Sequence, residues 1–122
     1  MAKRILVIED DEQISHVYSI NLKKMGLDFE VLIDGEAGLK KASTWKPDLV
    51  LLDLMLQGKD GFWFLEERKK KPELMKIPVI VLSNLGQEQD KKRALDLGAA
   101  EYLVKADMSI KQVMDKVTEY TK

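Results

Sequence analysis

Three acidic residues, a serine and a lysine each stand at or near the end of a short apolar run. Glu9 and Asp10 follow "ILVI", Asp53 interrupts "LVLLDLML", Ser83 follows "IPVIVL" and Lys105 follows "EYLV". A carboxylate buried alone is costly, so Asp53 needs a compensating partner. If the first and third runs lie side by side, Glu9, Asp10 and Asp53 converge. Three carboxylates that close require a raised pKa or an intervening cation. A hard divalent ion meets that need, and Mg2+ takes only one or two carboxylates together with waters and a phosphate. Lys105 adds a positive charge and Ser83 a hydroxyl donor, which makes a site for an anion arriving with its metal. Phosphoryl transfer fits, because its catalysis is mostly positioning and charge neutralisation. A carboxylate can itself accept the group as an aspartyl phosphate, and Asp53 is the candidate nucleophile.

The elements that must position these residues alternate between two periods. Five apolar runs recur, at 4–8, 29–33, 48–53, 77–82 and 101–105. Continuous Ile, Leu and Val mark strands buried on both faces of a parallel sheet; the mixed "FEVLI" reads as an edge. Between the runs lie five segments with helical spacing. Ile14, Val17, Tyr18, Leu22 and Met25 form one stripe, closed by Gly26. Residues 36–45, 62–70 and 88–97 follow, and Ile110, Val113, Met114 and Val117 form the last stripe. Met25 and Met114 are expected in the core, Trp45 over the end of the second helix, and His16 on a helix surface. "EERKKK" (66–71) reads as a solvated helix end. Strand–helix alternation of this kind predicts an α/β fold, a five-stranded parallel sheet doubly wound by five helices. Ligands gather beyond the carboxyl ends of such strands, where the five polar residues fall.

The 122 residues suit one domain, expected over 1–122, with a core of ordinary size. Twenty basic and 21 acidic residues nearly cancel, leaving no field for nucleic acid or an anionic membrane. The absence of cysteine excludes disulfides and thiolate metal sites and fits a reducing compartment. "ILVI" after Lys3 and Arg4 is too short for a secretory core or a membrane span, so a cytoplasmic location is expected.

The motifs "ILVIEDD", "PDLVLLDLML", "KDGFWFL", "IPVIVLSN" and "LGAAEYLVK", in this order over nearly the whole chain, resemble a receiver domain of a two-component response regulator, of the single-domain chemotaxis type. The resemblance implies a flavodoxin-like sheet of order 2-1-3-4-5. It implies Asp53 as phosphoacceptor, Asp10 as direct Mg2+ ligand, Glu9 acting largely through water, and the Met55 main-chain carbonyl as a further ligand. Ser83 and Lys105 would contact the phosphoryl group, and Tyr102 would occupy the aromatic switch position. A histidine kinase or phosphotransfer protein would be the donor, docking near the first helix. Segment 86–98 would be the output surface toward an effector, and the 86–122 face a site for a homodimer. On this reading the chain turns over no substrate beyond its own phosphorylation and dephosphorylation.

The sequence departs from the family at three places. Gln57 and Ala106 stand where proline is usual, and Asn84 where a small residue is common. The loop after Asp53 is therefore expected to be less rigid, and the Lys105–Ala106 bond to be trans, since cis before a non-proline residue costs roughly 3–4 kcal/mol. These departures keep a receiver-fold interaction module that is never phosphorylated as the alternative. A flavodoxin-type carrier fails on the acidic Glu9-Asp10-Asp11 loop, which would repel a metal-free phosphate. An aspartate-based phosphatase fails on Met55, where it would carry a second carboxylate.

Overall fold

The computed structural model describes residues 2–122; the expected domain start at residue 1 lies outside them. Five strands form one parallel sheet: β1 (Arg4–Ile8), β2 (Asp28–Leu32), β3 (Leu49–Leu52), β4 (Val79–Ser83) and β5 (Glu101–Val104), in the order 2-1-3-4-5. "FEVLI" is an edge, as its mixed composition predicts. Every residue of β3 and β4 is buried. Because successive strand side chains point to opposite faces, each central strand feeds two cores. Leu6, Ile8, Val50, Leu52, Val79 and Val81 face one, and Ile5, Val7, Leu49, Leu51, Ile80 and Leu82 the other.

Helices cover both faces: α1 (Glu12–Lys24) and α6 (Ile110–Tyr120) on the second core; α2 (Gly35–Trp45), α3 (Gly61–Lys69), the single turn α4 (Pro72–Met75) and α5 (Glu88–Asp96) on the first. Among the described residues six helices stand where five are expected. α3 ends at Lys69, and Pro72, with no N–H to donate, opens a new turn at the position where helices tolerate it best. One turn is too short to show periodicity. A 3-10 turn over Lys105–Asp107 follows β5, so Lys105 stands just beyond the strand. Every peptide bond among the described residues is trans, Lys105–Ala106 included. None of their helices is long and apolar enough to cross a membrane.

Two side-chain expectations need correction. Met25 is 37% exposed: it caps α1 rather than continuing its stripe, and Gly26 with φ +75° turns the chain away. Arg68, in the middle of "EERKKK", is buried. Its Nη2 donates to the Ile77 carbonyl at 2.8 Å and its Nη1 to the Gly98 carbonyl at 3.4 Å, while Nε has no partner. Burial without a counter-charge pulls its pKa down. Met114 is buried in the second core, His16 is exposed, and Trp45 lies at the end of α2 under the Arg4 guanidinium, 5.7 Å from the ring centre.

The last helix is tied to the sheet edge through Glu101. The Tyr120 hydroxyl donates to its Oε2 at 2.6 Å, and Lys116 Nζ pairs with its Oε1 at 3.0 Å. The Tyr120 bond, helped by Lys116 and opposed by burial, holds the Glu101 carboxyl below its usual range. Burial, then the bond and charge of Glu101, push Tyr120 up to about 12. A depressed carboxylate pKa contributes stability present above 4.5 and lost as pH falls through the lowered value. Tyr120→Phe is therefore expected to cost about 1 kcal/mol in urea unfolding at neutral pH, with the difference narrowing in strong acid. An equal difference at both pH values would contradict the linkage.

Candidate functional site: an acidic cluster closed by a lysine

The registers of β1 and β3 end together, Ile8 opposite Leu52, so Glu9 and Asp53 leave the sheet side by side. The Asp53 N–H still donates to the Ile8 carbonyl at 3.0 Å, and the Glu9 N–H to the Leu32 carbonyl at 2.9 Å. Both carboxylates are buried, at 3% exposure for Glu9 and 7% for Asp53. What makes this tolerable is Lys105, whose Nζ donates to Glu9 Oε1 and, at 3.0 Å, to Asp53 Oδ2. The remaining oxygens also have partners. Glu9 Oε2 accepts the Asp11 N–H at 3.1 Å, and Asp53 Oδ1 the Met55 N–H at 3.2 Å. Asp11 caps α1 by accepting the Gln13 and Ile14 amides.

Asp10 is half-buried and has no lysine. Its Oδ2 accepts the Gln57 main-chain N–H at 3.2 Å. Glu9, Asp10 and Asp53 each offer a carboxylate oxygen, all within 4.8 Å of one another. Three carboxylates against one ammonium leave two negative charges in excess. An oxygen-only donor set with that excess fits a hard divalent cation.

The charges act on one another as such a cluster should. Burial pushes the Glu9 carboxyl up, with Asp53 adding to it, while the Lys105 bond pulls it partway back. Burial alone would lower Lys105, but the hydrogen bonds and charges of Glu9 and Asp53 outweigh it and leave the ammonium raised. Lys105 is thus charged throughout the neutral range.

Ser83 and Tyr102 lie on the neighbouring strands. Ser83 is fully buried, and its Oγ accepts the Leu85 N–H at 3.3 Å rather than reaching a carboxylate. Tyr102 is buried, with its hydroxyl on the Leu85 carbonyl. Burial raises its pKa, Asp90 adds to that, and Ser83 pulls it back. Both side chains therefore grip the loop that follows β4. Met55 stands two residues beyond Asp53 with its side chain 57% exposed. It lines a groove of about 410 Å³ with Leu54, Leu56, Phe62 and Leu85, running to Asp10.

Two participants escape sequence reasoning. Gln57 enters through a main-chain amide, which has no side-chain signature. Tyr18 looks like one more member of an apolar stripe, yet its pKa, raised first by burial, also responds to Lys105, Glu9 and Asp53. It shares a hollow of about 290 Å³ with Lys105 between α1 and α6.

Among relatives, the DNA-binding dual master transcriptional regulator RpaA of Synechocystis is 44% identical over 102 residues, covering 84% of this chain and 42% of that protein. The chain spans less than half the length of the curated relatives it matches. Among solved structures, the Mn(2+)-bound form of response regulator Rcp1 is 30% identical with a TM-score of 0.88, over 98% of this chain and 95% of that one. The phosphorylated cyanobacterial phytochrome response regulator RcpA is 31% identical with a TM-score of 0.82, over 98% and 91%. The family model described as response regulator receiver domain matches residues 5–118. With that match and the sheet order 2-1-3-4-5, the chain belongs to the response regulator receiver domain family.

Proposed function

We propose that Asp53 accepts a phosphoryl group from the phosphohistidine of a histidine kinase or phosphotransfer protein, with Mg2+ held by Glu9, Asp10, Asp53 and the Met55 carbonyl. The observation that carries this is the Asp53 carboxylate, fixed at a strand end by Lys105 and the Met55 amide, inside a cluster two charges short of neutrality. The Mn2+ of Rcp1 and the phosphorylated state of RcpA, named for those proteins, support it. An Asp53 oxygen lone pair forms the new P–O bond as the donor's P–N bond breaks, and that electron pair returns to the imidazole nitrogen. Held by these carboxylates, the cation would supply positive charge to offset that on the transferring phosphoryl oxygens. Lys105 exchanges its bond to Asp53 for one to the phosphoryl group, and the buried Ser83 hydroxyl turns from the Leu85 amide to it. Because Ser83 and Tyr102 both hold Leu85, that turn biases the 86–105 surface.

That surface is read by an effector, or by a second copy through the 86–122 face, and the balanced charge argues against direct contact with nucleic acid. We place the protein in the cytoplasm, in keeping with its cysteine-free sequence, and assign it no turnover beyond its own phosphorylation and dephosphorylation. The test is intact mass after incubation with a small-molecule phosphodonor and Mg2+. One phosphoryl adduct is expected, absent without Mg2+ and absent in Asp53→Asn. A folded protein that gains none would shift the reading to an interaction module independent of phosphorylation.

A further inference from the structure

Of the three carboxylates, Asp10 alone lacks the lysine: Glu9 and Asp53 share Lys105. The single hydrogen bond its side chain accepts among the described residues comes from the Gln57 main-chain N–H, 47 positions away. That amide is not adrift. The loop between β3 and α3 is pinned by Gly35 N–H to the Lys59 carbonyl at 2.7 Å and by Gly61 N–H to the Leu54 carbonyl at 3.1 Å. The Met55 amide is bound to Asp53, and Gly58, at φ +74°, supplies the turn directly after Gln57. The looseness expected from the missing proline is countered by a bond that proline, having no N–H, could not make.

We infer that the Gln57 main-chain amide is a positioning group for the divalent cation, holding Asp10 toward Glu9 and Asp53 before the cation arrives. The inference rests on the metal-dependent reading above. A half-buried carboxylate with no other partner samples several rotamers, and fixing one in advance removes that ordering cost from binding. A carboxylate oxygen accepting one N–H keeps a second lone pair for a cation. The Gln57 side chain plays no part, so the effect follows the main chain alone.

Isothermal titration of the full chain with MgCl2 separates these points. Gln57→Ala keeps the amide and is expected to bind as the wild type does. Gln57→Pro removes it and is expected to bind roughly tenfold more weakly, the lower end of what losing an outer-shell partner costs. A folded Gln57→Pro that binds like the wild type overturns the inference and leaves the phosphoacceptor reading standing. So does Gln57→Ala weakened as much as Gln57→Pro, since the side chain would then be responsible. A wild type that takes up no Mg2+ overturns both the inference and the reading. Should Gln57→Pro fail to fold, amide hydrogen exchange decides. The Gln57 N–H is expected to be protected in the metal-free wild type and released in Asp10→Ala. An unprotected Gln57 amide overturns the inference.

Discussion

Lys105→Met is expected to unfold about 3–5 kcal/mol more easily than the wild type at neutral pH, the cost of breaking a buried ion pair by removing one partner. The sign follows from what remains. Among the described residues Lys105 is the one cation bonded to Glu9 and Asp53, and both carboxylates are buried. Take it away and two adjacent negative charges stand in a hydrophobic wall with only the Asp11 and Met55 amides to hold them. The Glu9 carboxyl, already pushed up by burial, loses the bond that pulls it back. A raised carboxyl pKa favours folding below the ordinary 4.5 and loses that benefit as pH rises through the folded value. The deficit of Lys105→Met should therefore shrink on acidification, whereas a simple packing loss would be independent of pH. Mg2+ should also restore part of it, because a divalent cation supplies the charge the methionine cannot. Urea titrations at neutral and mildly acid pH, with and without Mg2+, read all of this at once. A variant as stable as the wild type at neutral pH would mean that Lys105 does not compensate the cluster.

That Lys105 faces Asp53 at all was legible in the sequence for a physical reason. Runs such as "LVLL" and "VIVLS" can be satisfied only by burial on both faces, which forces a parallel sheet, and a parallel sheet gathers its carboxyl ends on one edge. Polar residues at those ends are then gathered on that edge, and Glu9, Asp10, Asp53, Ser83 and Lys105 all fall there. What the pattern could not carry is anything made by the main chain or by a single long side chain. Gln57 contributes an amide, and every residue but proline has one. Arg68 has the formula of a solvated charge and sits within "EERKKK", yet it lies buried, donating to the Ile77 carbonyl just before β4 and the Gly98 carbonyl just after α5. The four-residue helix at Pro72 is shorter than the period that would reveal it. Tyr102 was visible as an aromatic on β5, but its grip on the Leu85 carbonyl depends on how the loop after β4 folds back.

Gly61→Ala should be more damaging than its chemistry suggests. Gly61 opens α3 on the Asp60 cap, and in an exposed helix alanine would be the better residue by about 1 kcal/mol. Here a Cβ would stand 2.5 Å from the Asp53 carbonyl oxygen, 2.7 Å from Leu54 Cα and 2.9 Å from Leu54 Cδ2. Two of the three are main-chain atoms of the acceptor segment, so relief requires α3 to move out or Asp53 to move in. Either movement carries strain of roughly 1–3 kcal/mol, which outweighs the propensity gain. It also shifts the carboxylate proposed as the phosphoacceptor. A displacement near 1 Å can lower the rate about a hundredfold, so phosphorylation should fall by more than the loss of folded protein explains. Gly86→Ala is the matched control, because a Cβ there meets nothing within 4 Å, and it should leave stability within about 0.5 kcal/mol. The two variants compared by urea unfolding, and by phosphorylation rate at a fixed concentration of folded protein, separate strain at the acceptor from loss of a glycine as such. A Gly61→Ala protein that is both stable and fully reactive would show that α3 can slide without carrying Asp53, and that the acceptor is positioned by β3 and Lys105 alone.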